Sequence, residues 1–122
     1  PERLIAHTPT AERTGSRLLC LDGSNGELQH RQFSDVLDFF DAGDVLVAIS
    51  SSGNSTNIIA AVEAAKQAGL TTIGLSGFSG GALRSLADIS IHIDVQNYGV
   101  VEDAHQAVMH VIAQYIASER DQ

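Results

Sequence analysis

The chain is short of the residues that staple or bend small proteins. Among its 122 residues there is one cysteine, two prolines and no tryptophan, and Phe and Tyr together number only six. A lone thiol, Cys20, cannot close an intramolecular disulfide, and with five scattered histidines it makes no zinc-finger spacing. Cysteine usage of this kind gives the cytoplasm as the expected location. With so few aromatic rings, the core has to be built from aliphatic side chains. No apolar run approaches the ~20 residues of a membrane helix, and no basic-then-apolar leader opens the chain, so no membrane partner is expected.

Positive charge is scarce, and the scarcity is local. Residues 1–32 hold four basic and four acidic side chains, whereas residues 33–122 hold three basic against eleven acidic, which accounts for the whole net charge of −8. A field of that sign repels a phosphate backbone, so nucleic-acid binding through a basic patch is disfavoured. Any phosphate must be held locally, by backbone N–H groups and hydroxyls. At this length the chain is one domain or one piece of a larger one.

Both prolines, Pro1 and Pro9, stand before residue 10. Residues 1–16 read as a linker-like or truncated amino-terminal segment, and residues 17–122 as the domain. Within it, short apolar runs at 17–22, 44–50, 71–76 and 89–95 alternate with helical patterns at 28–41, 56–68, 80–87 and 101–118. The run DVLVAIS, over 44–50, is continuously apolar at its centre, as a strand buried on both faces of a parallel sheet would be. The 89–95 run alternates strictly and is placed nearer an edge. Ser55 is available to begin the second helix and Gly69 to end it. This alternation predicts an α/β fold, a three-layer α/β/α sandwich on a parallel sheet, with ligands bound at the carboxyl ends of the strands.

At one such end lies the most informative stretch, Ser50-Ser51-Ser52-Gly53-Asn54-Ser55-Thr56. Such a run is too polar for burial and richer in hydroxyls than an N-cap requires. A glycine that permits a tight turn, unpaired N–H groups at a helix start and several hydroxyls make an anion cradle. No lysine accompanies it and GxxxxGK[ST] is absent, which excludes a nucleoside-triphosphatase loop and favours the monophosphate of a small molecule.

The spaced pattern of SSGNS, then SG with GG, then LAD, then a final helix bearing histidine resembles the sugar isomerase (SIS) domain, a flavodoxin-like fold. Within that superfamily it is most similar to the phosphoheptose isomerases, over 42–116 well and over 18–41 loosely. The resemblance implies an aldose–ketose isomerase working through an enediol on sedoheptulose 7-phosphate, with a homotetramer as the assembly. Residue by residue, it implies that Ser50, Ser51, Ser52 and Ser55 with Asn54 hold the phosphate. It also implies that His110 is the catalytic histidine, with Glu102 as its partner where the family usually has Gln.

The resemblance implies that some members hold zinc with residues at these two positions plus others from the amino-terminal part missing here, so zinc on Glu102 and His110 is the cofactor to test; spaced by eight on a straight helix they are too far apart for one ion, and Glu102 could join only by preceding the first turn. The family's first strand, its Gly/Asn/Ser-rich loop and the helix with a catalytic glutamate have no counterpart before Arg17, so a bare sheet edge is expected. The alternative function is a non-catalytic SIS module that binds a sugar phosphate or a protein.

Other polar residues draw bland readings. Ala104, Val108, Val111, Ile112 and Tyr115 form the apolar face of the last helix, with His105 at its border. His92 reads as structural or solvent-facing, Asp94 as a weak candidate, Asp88 as a helix-ending residue, and Asp35, Asp38, Asp41 and Asp44 as a solvated face.

Overall fold

The all-apolar strand lies in the middle of the sheet, as its composition requires. The computed structural model describes residues 3–6, 18–22 and 40–120. In chain order they form β1 (Arg3–Ala6), β2 (Leu18–Asp22), β3 (Val45–Ile49), α1 (Thr56–Gln67), β4 (Thr71–Ser76), α2 (Gly81–Leu86), β5 (Ile89–His92) and α3 (Tyr98–Arg120). The sheet order is β1-β2-β3-β4-β5. Strands β2 to β5 run parallel, with Val45 opposite both Leu18 and Thr71, and β5 is an edge strand as its alternation suggested.

Two expectations change at the amino-terminal side. Residues 3–6, read as linker, form a strand antiparallel to β2, with Arg3 opposite Asp22. The sheet is therefore mixed, and the edge expected to be bare at β2 carries β1. The alternation Arg-Leu-Ile-Ala is too short to separate from loop by periodicity, and only pairing reveals it. The helix expected over 28–41 falls outside the described residues, apart from Phe40 and Asp41, which are not helical.

Alternation along the strands splits the core in two. Leu19, Leu21, Leu46 and Ala48 pack with Ile58, Ala61, Val62 and Ala65 of α1 and with Leu83 of α2. Cys20, Val47, Ile49 and Leu75 face the other way, against Val108 and Met109 of α3. Full burial of each Leu, Ile or Val contributes about 1.5–3 kcal/mol, so these two layers supply most of the stabilisation.

Helix α1 ends where its sequence says it should. Gly69 takes φ +87°, its N–H donates to Lys66 O, and Leu70 N–H donates to Ala65 O, the two bonds of a Schellman stop. Asp44, grouped by spacing with a solvated face, is instead buried, and its Oδ2 accepts the Asp41 N–H at 2.8 Å. Its place just before β3 commits it to the turn.

The last helix is longer than its apolar pattern and docks on a face rotated from the expected one, keeping Ala104, Val108 and Ile112. It begins at Tyr98 and buries Val101 and His105, with Ala104, Val108, Met109 and Ile112 half-buried. Val111 and Tyr115, expected in the core, are each 65% exposed. Its 23 residues span about 35 Å at 1.5 Å per residue, whereas a strand of about six residues spans ~20 Å. Val111 and Tyr115 lie to one side of the docked stripe 101, 105, 108 and 112, whose continuation at Ile116 stays half-buried.

Candidate functional site

Burial of β3 brings the serine run out at the carboxyl end of the sheet. Ser50 N–H continues the ladder to Leu75 O at 3.0 Å, and the chain then turns, Gly53 N–H donating both to Ser50 O at 3.1 Å and to Ser50 Oγ at 3.1 Å. Ser52 Oγ accepts the Asn54 N–H at 3.1 Å. Gly53 sits at φ +75°, and a Cβ there would lie 1.9 Å from Gly80 O, so both conformation and space demand glycine.

A second loop, Gly77 to Gly80, clasps this turn from the side. Gly77 N–H donates to Ser51 O at 2.8 Å, and Leu83 N–H reaches Gly53 O at 2.9 Å. Asn54 Oδ1 accepts the Ala82 N–H at 3.0 Å and so caps α2. The oxygen of Asn54 thus holds the two loops together, and its Nδ2 is the end that could donate to a phosphate. Phe78 adopts φ +50°, rare for an aromatic residue, while its ring lies 4.6 Å from that of Tyr98.

What faces the cradle is the start of α1. Ile59 N–H to Ser55 O is its first helical bond, which leaves the N–H groups of Thr56, Asn57 and Ile58 without helical acceptors. Ser55 is the N-cap by position, yet its hydroxyl makes no capping bond. No acidic side chain stands in the first turn. Uncapped donors, a half-buried hydroxyl and the positive end of a helix dipole are the elements of an anion site, and they hold even in a chain of net charge −8.

The candidates on α3 separate. Val101 packs on Gly77, whose added Cβ would lie 2.5 Å from the valine Cγ1, so Glu102 stands next to the loop that clasps the serine turn. It is exposed and well inside the helix, four residues after Tyr98. The condition for Glu102 to curl back toward His110, a place before the first turn, is therefore not met. His110 follows Val101 by nine residues, about half a turn around the axis from the docked side, and is exposed. Its Nε2 accepts from Gln114 Nε2 at 2.9 Å, which puts the ring hydrogen of the neutral form on Nδ1.

Eight residues of continuous helix hold Glu102 and His110 about 12 Å apart along the axis. Among the described residues no three His, Cys, Asp or Glu side chains gather around a point that could take a metal ion. Among the described residues, Glu102 and His110 by themselves do not make a zinc site.

Three side chains read as bland have defined partners. Asp88 Oδ2 accepts from Thr72 N–H at 2.8 Å and from Thr72 Oγ1 at 3.1 Å, and Lys66 Nζ stands 3.5 Å from Oδ1. The Thr72 bonds, with help from Lys66, hold its carboxyl below the ordinary value. His92 Nε2 donates to Phe78 O at 2.7 Å. His105, placed at a border by its pattern, is 2% exposed and donates from Nε2 to Ser76 O at 2.9 Å. The signal for it was present in the spacing 101, 105, 108 and 112, which is the stripe that docks.

A doubly covered, mainly parallel sheet with a serine loop at a strand's carboxyl end defines an α/β protein of the kind that places its ligand site at the strand ends. The sequence model of the family described as queuosine biosynthesis protein matches residues 1–115, and the chain belongs to that family. Curated relatives carry a different name. A phosphoheptose isomerase of Vibrio vulnificus is 42% identical over 80 residues, 65% of this chain and 42% of its own. A probable phosphoheptose isomerase of Thermoplasma volcanium is 39% identical over 87 residues, 70% of this chain and 44% of its own.

Among solved structures, a phosphoheptose isomerase of Neisseria gonorrhoeae superposes with a TM-score of 0.66 at 32% identity, over 71% of this chain and 50% of its own. One from Francisella tularensis gives 0.66 at 28% identity, over 75% and 50%. The fold is that of the phosphoheptose isomerases, and the chain spans less than half the length of the curated relatives named. No helix among the described residues is long and apolar enough to cross a membrane.

Proposed function

We propose that the chain is an SIS-type phosphosugar isomerase, a cytoplasmic enzyme interconverting sedoheptulose 7-phosphate and a heptose 7-phosphate aldose. The observation that carries this reading is the uncapped start of α1 beneath the serine loop, in a chain about 40% identical to phosphoheptose isomerases. Phosphate oxygens accept from the N–H groups at 56–58 and from the hydroxyls of Ser51, Ser52 and Ser55, with Ser50 holding the turn. Anchoring the phosphate at C7 leaves its binding energy available to position C1 and C2.

The chemistry moves a proton. A base removes one from C1 of the ketose, an enediol spans C1 and C2, and a proton returns at C2 while the carbonyl oxygen gains a proton and the C1 hydroxyl loses one. His110, whose Nε2 lone pair already faces a donor, takes and returns the carbon-bound proton. Glu102 serves the oxygens. Since His110 points away from the sheet of its own chain, we infer that it acts at the serine loop of a second copy, within the expected tetramer. Zinc enters no step.

The family match over residues 1–115 favours a second reading, a step of queuosine biosynthesis. Proton NMR in D2O with a panel of ketose and aldose phosphates led by sedoheptulose 7-phosphate separates the readings. Deuterium entry at C1 or C2 is the expected result. Binding without exchange would mean a sugar-phosphate-binding module, and no binding at all would leave the second reading in possession.

A further inference from the structure

His105 is a costly residue for the place it holds. It lies 2% exposed between Val101 and Val108 on the docked face of α3, and its Nδ1 is buried without a partner. An unpaired polar atom in a core is destabilising, a penalty that an aliphatic side chain would avoid. What the imidazole provides is one bond, Nε2–H to Ser76 O at 2.9 Å. A carbonyl can only accept, so the hydrogen is on Nε2.

That carbonyl occupies a junction. Ser76 is the last residue of β4, and its O also accepts Ile93 N–H at 2.9 Å, where the chain leaves β5. The next residue, Gly77, donates to Ser51 O at 2.8 Å, inside the serine turn. Three covalent or hydrogen-bonded steps thus run from His105 through Ser76 and Gly77 to Ser51. The same helix carries Glu102 three residues before His105 and His110 five residues after it. Apolar contacts also join α3 to this region, with Val101 packed on Gly77, the Tyr98 ring against Phe78, and Val108 and Met109 against the cluster that holds Leu75, and none of them is directional as a hydrogen bond is.

We propose that His105 is a positioning residue that sets the rotation and height of α3 against the serine loop by latching it to Ser76 O. It touches no substrate, and it determines where Glu102 stands relative to a phosphate bound at Ser51 of the same chain and the angle at which His110 is presented to the second copy. The catalytic part of this statement rests on the isomerase reading; the latch itself does not.

The test compares His105→Leu, which fills the space without a donor, with His105→Gln, whose Nε2–H can reach the same carbonyl. In the uniformly ¹⁵N-labelled chain, hydrogen exchange at Gly77 N–H is read against core amides of β3. In His105→Leu, Gly77 exchange rises at least 10-fold relative to those core amides. Turnover of sedoheptulose 7-phosphate falls at least 10-fold in kcat, with KM within 3-fold. His105→Gln stays within 3-fold of the parent in both.

Exchange at Gly77 that rises only in step with the core, or Leu and Gln variants that behave alike, would overturn the proposal. A parent chain with no turnover sinks the isomerase reading while the exchange ratio still decides the latch. If His105→Leu does not fold, His105→Asn takes its place, since its shorter amide cannot reach Ser76 O and must open Gly77. Loss of the fold in Leu, Asn and Gln alike would make His105 a core residue only and refute the latch.

Discussion

The two ends of the candidate site are built in opposite ways. The serine turn is closed by backbone: Ser50, Gly53, Gly77 and Leu83 bond across it, and its serines 50 and 51 are buried. The outward face of α3 is open, with Glu102 and His110 exposed and joined by no described bond to the turn. On the function proposed above, a cradle closed by backbone beside an exposed histidine would make phosphate recognition a property of one chain and proton transfer a property of the assembly. Remote binding energy can be used for positioning only if the cradle does not move, so the asymmetry suits the chemistry proposed.

Four changes break or sharpen that contrast, from the largest expected effect downward. His110→Ala should lower turnover of sedoheptulose 7-phosphate by ~10²–10⁴-fold, the usual worth of a general acid or base, while phosphate affinity stays put. Steady-state kinetics beside a calorimetric titration with inorganic phosphate checks both halves. Mixing His110→Ala with a chain crippled in the serine loop should restore part of the activity if the second copy supplies the histidine; no recovery would place the whole site in one chain.

Gly53→Ala attacks the cradle. With φ +75° and Gly80 O 1.9 Å from the added Cβ, the turn cannot keep its shape. We expect a loss of at least ~2 kcal/mol in urea unfolding, together with the loss of phosphate binding.

Ser55→Ala is subtler. An N-cap serine ordinarily contributes ~1 kcal/mol, but this hydroxyl makes no cap bond, so unfolding free energy should change by less than about 0.5 kcal/mol while phosphate affinity falls several-fold. An ordinary capping loss with unchanged affinity would return the serine to a structural role.

Asp88 gives the smallest effect, away from both ends. Its carboxyl is held below the ordinary value by Thr72, so between the two values the unfolded chain binds more protons than the folded one. Its contribution is complete above the ordinary value of 3.8 and is lost as pH falls through the lowered one. Asp88→Asn should flatten that acid limb in denaturation curves recorded from pH 5 to pH 2, measured at about constant ionic strength.

Much of this was legible in the residues because local chemistry and burial agree there. Val45–Ile49 reads as a central strand, Gly69 as a helix stop and Ser50–Ser55 as a loop at a strand end, and each is found so. Misreadings arose where tertiary partners decide. Val111 and Tyr115 are apolar at helical spacing, yet the stripe that docks is centred on 101, 105, 108 and 112 and leaves them to one side. Residues 3–6 become a strand only through pairing with β2. That Asn54 Oδ1 also caps α2 could not be read from the sequence, because the bond reaches a residue 28 positions away. His105 looked like a border residue because periodicity cannot show that a carbonyl waits at Ser76.

The claim on which the rest depends is that the uncapped start of α1 seats a sugar phosphate. Its most direct test is a ¹H–¹⁵N correlation titration of the chain with sedoheptulose 7-phosphate, with the unphosphorylated sugar as control. The account predicts saturable shifts at the amides of residues 51–58, reproduced in part by inorganic phosphate and absent with the unphosphorylated sugar. Amides of that turn that stay still through millimolar sugar phosphate, or that respond equally to the unphosphorylated sugar, would contradict it.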